Sequence, residues 1–162
     1  MNFEIIPYSK KFSDSINRLI DSCFGVGYSL SVNFNQEGKL AWCALNEVNE
    51  LIGFTLLKVE DTRGVFELIV VDKSYRGLGL GTALFEQRIK HARYMSLDNI
   101  VLYHWFRPSS QEPFCALKFG FYASQIKMNH WTDQSLAFGY TCLECKRQPC
   151  ICICIVYEMQ LG

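Results

Sequence analysis

The chain has 162 residues, 16 of them basic and 16 acidic, for a formal net charge of zero at pH 7. That balance argues against a broadly basic nucleic-acid surface and confines any basic patch to a local feature. With 49% apolar residues, the length suits one domain over residues 1–162 with a core that needs no disulfide staples.

No segment is apolar for long enough to span a bilayer. Met1 to Glu4 has neither the positive region nor the apolar core of a signal peptide, so a cytoplasmic protein is expected. Phe12, Ile16, Leu19, Ile20 and Cys23 recur at helical spacing and predict an amphipathic helix. Leu40 to Leu45 and Leu51 to Val59 read as strands joined by a polar turn. Val65 to Val71 is rich in β-branched and aromatic residues and reads as a buried strand. Leu84, Phe85, Ile89, Ala92 and Met95 then mark a helix, with Glu86, Gln87, Arg88 and Lys90 as its polar members. Ile100 to Tyr103 reads as a further strand.

Between the buried strand and its helix lies Tyr75-Arg76-Gly77-Leu78-Gly79-Leu80-Gly81-Thr82. Strand, glycine-rich turn and helix together aim free backbone N–H groups, and the positive end of the helix dipole, at an anion. The dinucleotide fingerprint would need glycine at Thr82, and the nucleoside-triphosphate loop would need a lysine between Gly81 and Thr82. Neither fits. Arg76-Gly77-x-Gly79-x-Gly81 instead resembles the acetyl-CoA pyrophosphate loop of the GNAT superfamily of N-acetyltransferases.

The resemblance covers most of the chain. Phe3 to Pro7 is similar to the family's first strand, Phe114 to Phe121 to its last helix with a Lys-x-Gly-Phe exit, and Ile151 to Met159 to its closing strand. It implies an α/β fold: a mixed, twisted sheet of about six to seven strands flanked by helices and splayed near its middle. It also implies acetyl transfer from acetyl-CoA to a primary amine by direct attack in a ternary complex. By position, the main chain of Ile69, Val70 and Val71 would bond the pantetheine arm and polarise the thioester carbonyl. Residues Gly77, Leu78, Gly79, Leu80, Gly81 and Thr82 would hold the pyrophosphate, with Arg76 adding charge and Ser109 near the place of a carrier-contacting asparagine.

Glu67 is the one ionisable residue inside the apolar strand, and a carboxylate shielded from water can accept a proton near neutral pH. Some relatives carry a glutamate here as general base. A strand glutamate can equally face a solvent edge or pair with a cation. Many relatives place an acidic tyrosine four residues before the exit glycine, where this chain has Ala116. Cys115, Tyr122, Tyr103, His104 or solvent would then have to protonate the departing thiolate. The departure favours a second reading, a non-catalytic acyl-CoA-binding regulator.

Five of the eight cysteines fall between residues 142 and 154. Cys142-x-x-Cys145 followed by Cys150-x-Cys152 can close a tetrahedral thiolate site for zinc on a hairpin at about 140–156. Two other readings stand beside it: buried strand cysteines, with Cys150, Cys152 and Cys154 sharing one face, or a reversible disulfide. A metal- or redox-sensing module is a third functional reading. Tyr28, Phe34, Trp42, Tyr103, Trp105, Phe106 and Trp131 exceed what a small core requires, so some are expected at a substrate pocket or a homodimer contact. Acceptor specificity is expected in Phe24 to Gln36, Tyr103 to Gln111 and a loop from Met128 to Tyr140.

Overall fold

Alternating apolar side chains let one sheet bury both faces, and the helices cover them. The structure is a computed structural model that describes residues 2–109 and 115–162. In chain order it contains β1 (Glu4–Pro7), α1 (Ser13–Phe24), β2 (Lys39–Leu45), β3 (Leu51–Glu60), β4 (Arg63–Val71), α2 (Leu80–Tyr94), β5 (Asn99–Trp105), β6 (Tyr122–Lys127), α3 (Thr132–Phe138) and β7 (Cys154–Gln160). The strands form one sheet in the order β1-β2-β3-β4-β5-β7-β6, parallel only between β4 and β5. This is the mixed α/β fold the sequence implied. Among the described residues no helix is long and apolar enough to cross a membrane.

α1 lays Ile16, Leu19, Ile20 and Cys23 on one face of the sheet, against Phe54, Leu56, Leu68 and Val70. α2 lays Phe85, Ile89 and Ala92 on the other, against Leu57, Phe66, Ile100 and Leu102. Phe66 and Leu68 are two residues apart and should share a face, yet they belong to opposite cores. The cause is a β-bulge. Leu56 pairs with Leu68 and Leu57 with Phe66, so Glu67 is the extra residue, and it reverses the side-chain phase of the rest of β4.

Several expectations are corrected. Arg88, assigned to the polar face of α2, is 1% exposed. Two of its bonds run from one guanidinium nitrogen to the carbonyls of Leu68 (3.2 Å) and Leu56 (3.4 Å), the pair beside the bulge. Its guanidinium carbon lies 3.9 Å from the centre of the Phe66 ring. Burial pushes its pKa down to about 9, which still leaves it charged at pH 7. The closing strand begins at Cys154 rather than residue 151, so Cys150 and Cys152 lie outside it and share no strand face with Cys154. Where the last helix was expected, Cys115–Phe119 is a 3-10 turn ended by Gly120 at φ 91°; Phe114 lies outside the described residues, as does the end of the Tyr103 to Gln111 region. Residues 128–140 are not simply a loop, because they contain α3. β6 was not anticipated: its residues are exposed except for half-buried Lys127, so they carry little alternation.

Candidate active site

β4 and β5 pair only from Arg63↔Asn99 to Phe66↔Leu102. Beyond that point β4 stays with β3, β5 stays with β7, and the sheet opens between them. Within the opening lies a cavity of about 1500 Å³, lined by Glu67 to Val71 on one side and Leu102 to Arg107 on the other. The bulge marks the apex of the opening.

The ladder shows which β4 amides face the gap. The Asp72 N–H donates to the Ile52 carbonyl (2.9 Å), which makes 52/72 a bonded pair. Bonded and non-bonded pairs alternate along an antiparallel ladder, so 54/70 and 56/68 are bonded too. The N–H and C=O groups of Ile69 and Val71 therefore point away from β3 into the opening. Val70, in contrast, is held by β3. Of the three residues the sequence proposed for main-chain contact with the pantetheine arm, two present their amides to the cleft.

At one end of the cavity, Asp72 accepts a hydrogen bond from the Ser74 N–H (2.8 Å) and starts the 3-10 turn Lys73–Tyr75. Gly77 (φ 74°) and Gly79 (φ 85°) then adopt left-handed conformations and turn the chain into α2. A Cβ on either would meet nothing within 4 Å, so these glycines serve backbone shape and leave the approach open. α2 has no side-chain cap and no acidic residue in its first turn. Its first internal bond runs from the Ala83 N–H to the Gly79 carbonyl (3.0 Å), leaving the amides of Leu80, Gly81 and Thr82 at the mouth of the cleft. Lys118, which the sequence reading did not single out, donates to the Thr82 hydroxyl (3.0 Å) and adds charge there. The Arg76 guanidinium is turned inward, bonding the Val71 carbonyl (3.1 Å) and the Cys23 sulfur (3.4 Å). This mouth could hold a diphosphate, and the β4 edge turned away from β3 could bond an amide-bearing arm such as that of coenzyme A.

A valine at position 79 would have to hold a left-handed φ, at a cost of about 1–2 kcal/mol. Gly79→Val is therefore expected to weaken coenzyme A binding roughly five- to thirtyfold in calorimetry. Unchanged affinity would contradict the role given to this turn.

Glu67 faces the cavity, but it is less shielded than the sequence suggested. Its side chain is 27% exposed and pairs with Lys39 (2.9 Å), which reaches across β3 and is itself 7% exposed. The far wall is aromatic. Phe24 stacks on Tyr28 (4.7 Å), Tyr28 packs on Tyr140 (4.9 Å), and Phe24 on Trp105 (5.5 Å). Tyr28, Tyr103, Trp105, Phe106 and Trp131 line the cavity, whereas Trp42 and Phe34 are core residues. Tyr140, the last residue of the Met128 to Tyr140 region expected to carry acceptor specificity, lines it too, as does Tyr157 on β7, which was not singled out from sequence.

Ala116 is fully buried. Among the named substitutes for an acid, Tyr103, His104 and Cys115 line the cavity, and Tyr122, on the exposed edge strand, does not. Burial pushes His104 down to about 4, so its ring is neutral at pH 7 and has no imidazolium proton to give. Burial raises the Cys115 pKa and keeps it a thiol at neutral pH. Ser109 is not brought to the cleft: its amide (3.2 Å) and hydroxyl both donate to the Glu144 carboxylate.

The sequence model described as the Acetyltransferase (GNAT) family matches residues 12–121. Comparison with curated proteins finds none that matches the chain. Solved structures of similar fold include the ribosomal-protein-S18-alanine N-acetyltransferase from Escherichia coli, with a TM-score of 0.73, 16% identity, and coverage of 99% of this chain and 95% of that one. A GNAT family acetyltransferase from Elizabethkingia anophelis with acetyl-CoA bound gives 0.68 at 20% identity, covering 99% of each chain. A chain of the NatC complex bound to Gag peptide and CoA gives 0.72 at 18% identity, covering 100% of each. A profile match over most of the chain, on a sheet that opens at the bulge, establishes that this protein belongs to the GNAT acetyltransferase family.

Proposed function

We propose that the protein transfers an acetyl group from acetyl-CoA to a primary amine, by direct attack within the cleft between β4 and β5. The observation that carries this reading is the coincidence of three features in one cavity: uncapped α2 amides, an unpaired β4 edge, and the Glu67 carboxylate at the apex. Acetyl-CoA supplies the activated acyl group. The chain's own residues do the rest. The amides of Leu80 to Thr82, with Lys118, hold the diphosphate end, and Ile69 and Val71 bond the arm as an added strand would. The Ile69 N–H, nearest the bulge, donates to the oxygen on which negative charge develops. Glu67 takes the proton from the amine, directly or through one water. Tyr103 or the Cys115 thiol, or solvent, returns a proton to the departing sulfur.

The acceptor side suits an amine that arrives as a cation. Glu67 offers charge, and Tyr28, Tyr140 and Trp131 offer ring faces. Peptide amines and small-molecule amines both meet that description. The names of two structural neighbours, one acting on an alanine of ribosomal protein S18 and one bound to a Gag peptide, add weight to a peptide amine.

Incubation with acetyl-CoA and a panel of amines tests the proposal. Coenzyme A is best measured by chromatography, because the chain's own eight cysteines react with thiol reagents. Release that depends on the acceptor is the expected result. The buried Ala116 favours the second reading, an acyl-CoA-binding regulator, and binding without release across the panel would establish that reading instead.

A further inference from the structure

Cys142, Cys145, Cys150 and Cys152 come from two loop segments, yet their sulfurs all lie within 4.8 Å of one another. The Cys142–Cys152 sulfur separation is 3.5 Å and the Cys145–Cys150 separation 4.0 Å. A tetrahedral Zn–S site with bonds of about 2.3 Å has sulfurs about 3.8 Å apart, a value between these two separations, so small side-chain adjustments would bring the four to the corners of such a site. Cysteines serving only as small hydrophobes have no reason to converge on one point.

The turn that carries the first pair is closed on itself: the Cys142 N–H donates to the Arg147 carbonyl (3.3 Å), and Lys146, next to Cys145, takes a left-handed conformation (φ 52°). Lys146 and Arg147 also place two positive charges beside a site that would carry two negative ones.

Contacts outside the sulfurs tie the cluster to its neighbours. The Cys150 N–H donates to the Ser135 hydroxyl (2.8 Å) and the Thr132 hydroxyl to the Cys150 carbonyl (2.7 Å), tying this segment to α3. Glu144 is tied to Ser109. Residues 140–142 pack on α1's exit so tightly that a Cβ at Gly25 would stand 2.4 Å from the Thr141 carbonyl oxygen. Trp105 and Trp131 pack on the cysteines and line the cavity.

We infer that these four cysteines bind one zinc ion as a structural tetrathiolate site that staples the acceptor wall of the cleft. Binding converts four thiols to thiolates, releases four protons and leaves zinc at its usual oxidation state, so no oxidant is needed. The ion makes no contact with the reacting atoms. Its work is to hold Tyr140 and Trp131 in place.

The test reads metal rather than turnover, so its outcome is independent of the acetyl-transfer proposal. Full-length protein purified without chelator, with zinc in the growth medium, should retain one zinc per chain through gel filtration. Cobalt titrated into chelator-treated protein should give the visible bands and thiolate charge-transfer absorption of a tetrahedral thiolate site. Cys145→Ser should lose both signals, while Cys43→Ala, in the α1-side core, should keep them. If Cys145→Ser fails to fold, the wild-type cobalt titration still decides the matter. A metal-free chain with no cobalt spectrum overturns the inference, whether its four thiols are alkylated freely or its mass shows two disulfides.

Discussion

Glu67→Gln is expected to lower kcat at pH 7 by about 10²–10⁴, the range of general acid–base assistance, and to leave acetyl-CoA affinity within about threefold. The amide keeps the shape of the side chain but accepts no proton. The substitution also leaves Lys39, only 7% exposed, without its carboxylate, so some loss of stability is expected beside the kinetic effect. The pH profile carries the sign of the effect. Below the acceptor's own pKa the amine arrives protonated and needs a base; above it the amine is already neutral. The gap between wild type and variant should therefore narrow as pH rises through that pKa. Equal rates across the whole range would remove Glu67 from the mechanism and leave it as Lys39's partner.

Proline substitution along β4 separates the amides that face the cleft from those that hold the sheet. Proline lacks the N–H and is tolerated where that group makes no ladder bond. Ile69→Pro should therefore keep the fold while lowering kcat by about 10²–10³, the loss seen when one donor to a developing oxyanion is removed. Val70→Pro breaks a ladder bond to β3 and leaves a carbonyl there unsatisfied, which should cost about 1–3 kcal/mol of stability. Circular dichroism and thermal melts distinguish the two. If Ile69→Pro turned over normally, its N–H would have no part in the reaction. If Val70→Pro melted like wild type, the assigned phase of the ladder would be wrong.

The parts of this molecule that were legible in sequence are those written in local pattern. α1 and α2 announce themselves by 3.6-residue spacing, β2 and β3 by apolar runs about a polar turn, and β4 by β-branched and aromatic residues. The glycine turn stands out because Gly77 and Gly79 supply conformations other residues resist. What stayed hidden depends on partners far along the chain. The bulge exists only in the pairing of Leu56 and Leu57 with β4, so Glu67 read as a single carboxylate shielded inside an apolar strand. Arg88 lies at a polar-looking position, and only the carbonyls beside the bulge explain its burial. Lys39 and Glu67 meet across an intervening strand. α3 is seven residues long, too short for periodicity to show. The cysteines allowed three readings because spacing alone does not say where a strand begins; with β7 starting at Cys154, Cys150 and Cys152 are free of strand geometry and turn toward Cys142 and Cys145.

The arginine shows how one geometric need draws on several weak contributions. A buried charged group is costly, and among the described residues no carboxylate answers it; carbonyl oxygens and the faces of Phe66 and Phe85 do. Those contacts sit at the point where the sheet parts, so a residue remote from the diphosphate helps keep the β4 edge open.

The account rests on the diphosphate being held at the first turn of α2. Calorimetric titration of the full chain with coenzyme A, and in parallel with pantetheine, which lacks the diphosphate and nucleotide, tests this most directly. Saturable one-to-one binding of coenzyme A, weakened at least about a hundredfold for pantetheine (about 2.7 kcal/mol) and reduced by Gly79→Val, is the predicted result. No heat with coenzyme A, or equal affinity for both ligands, would contradict it.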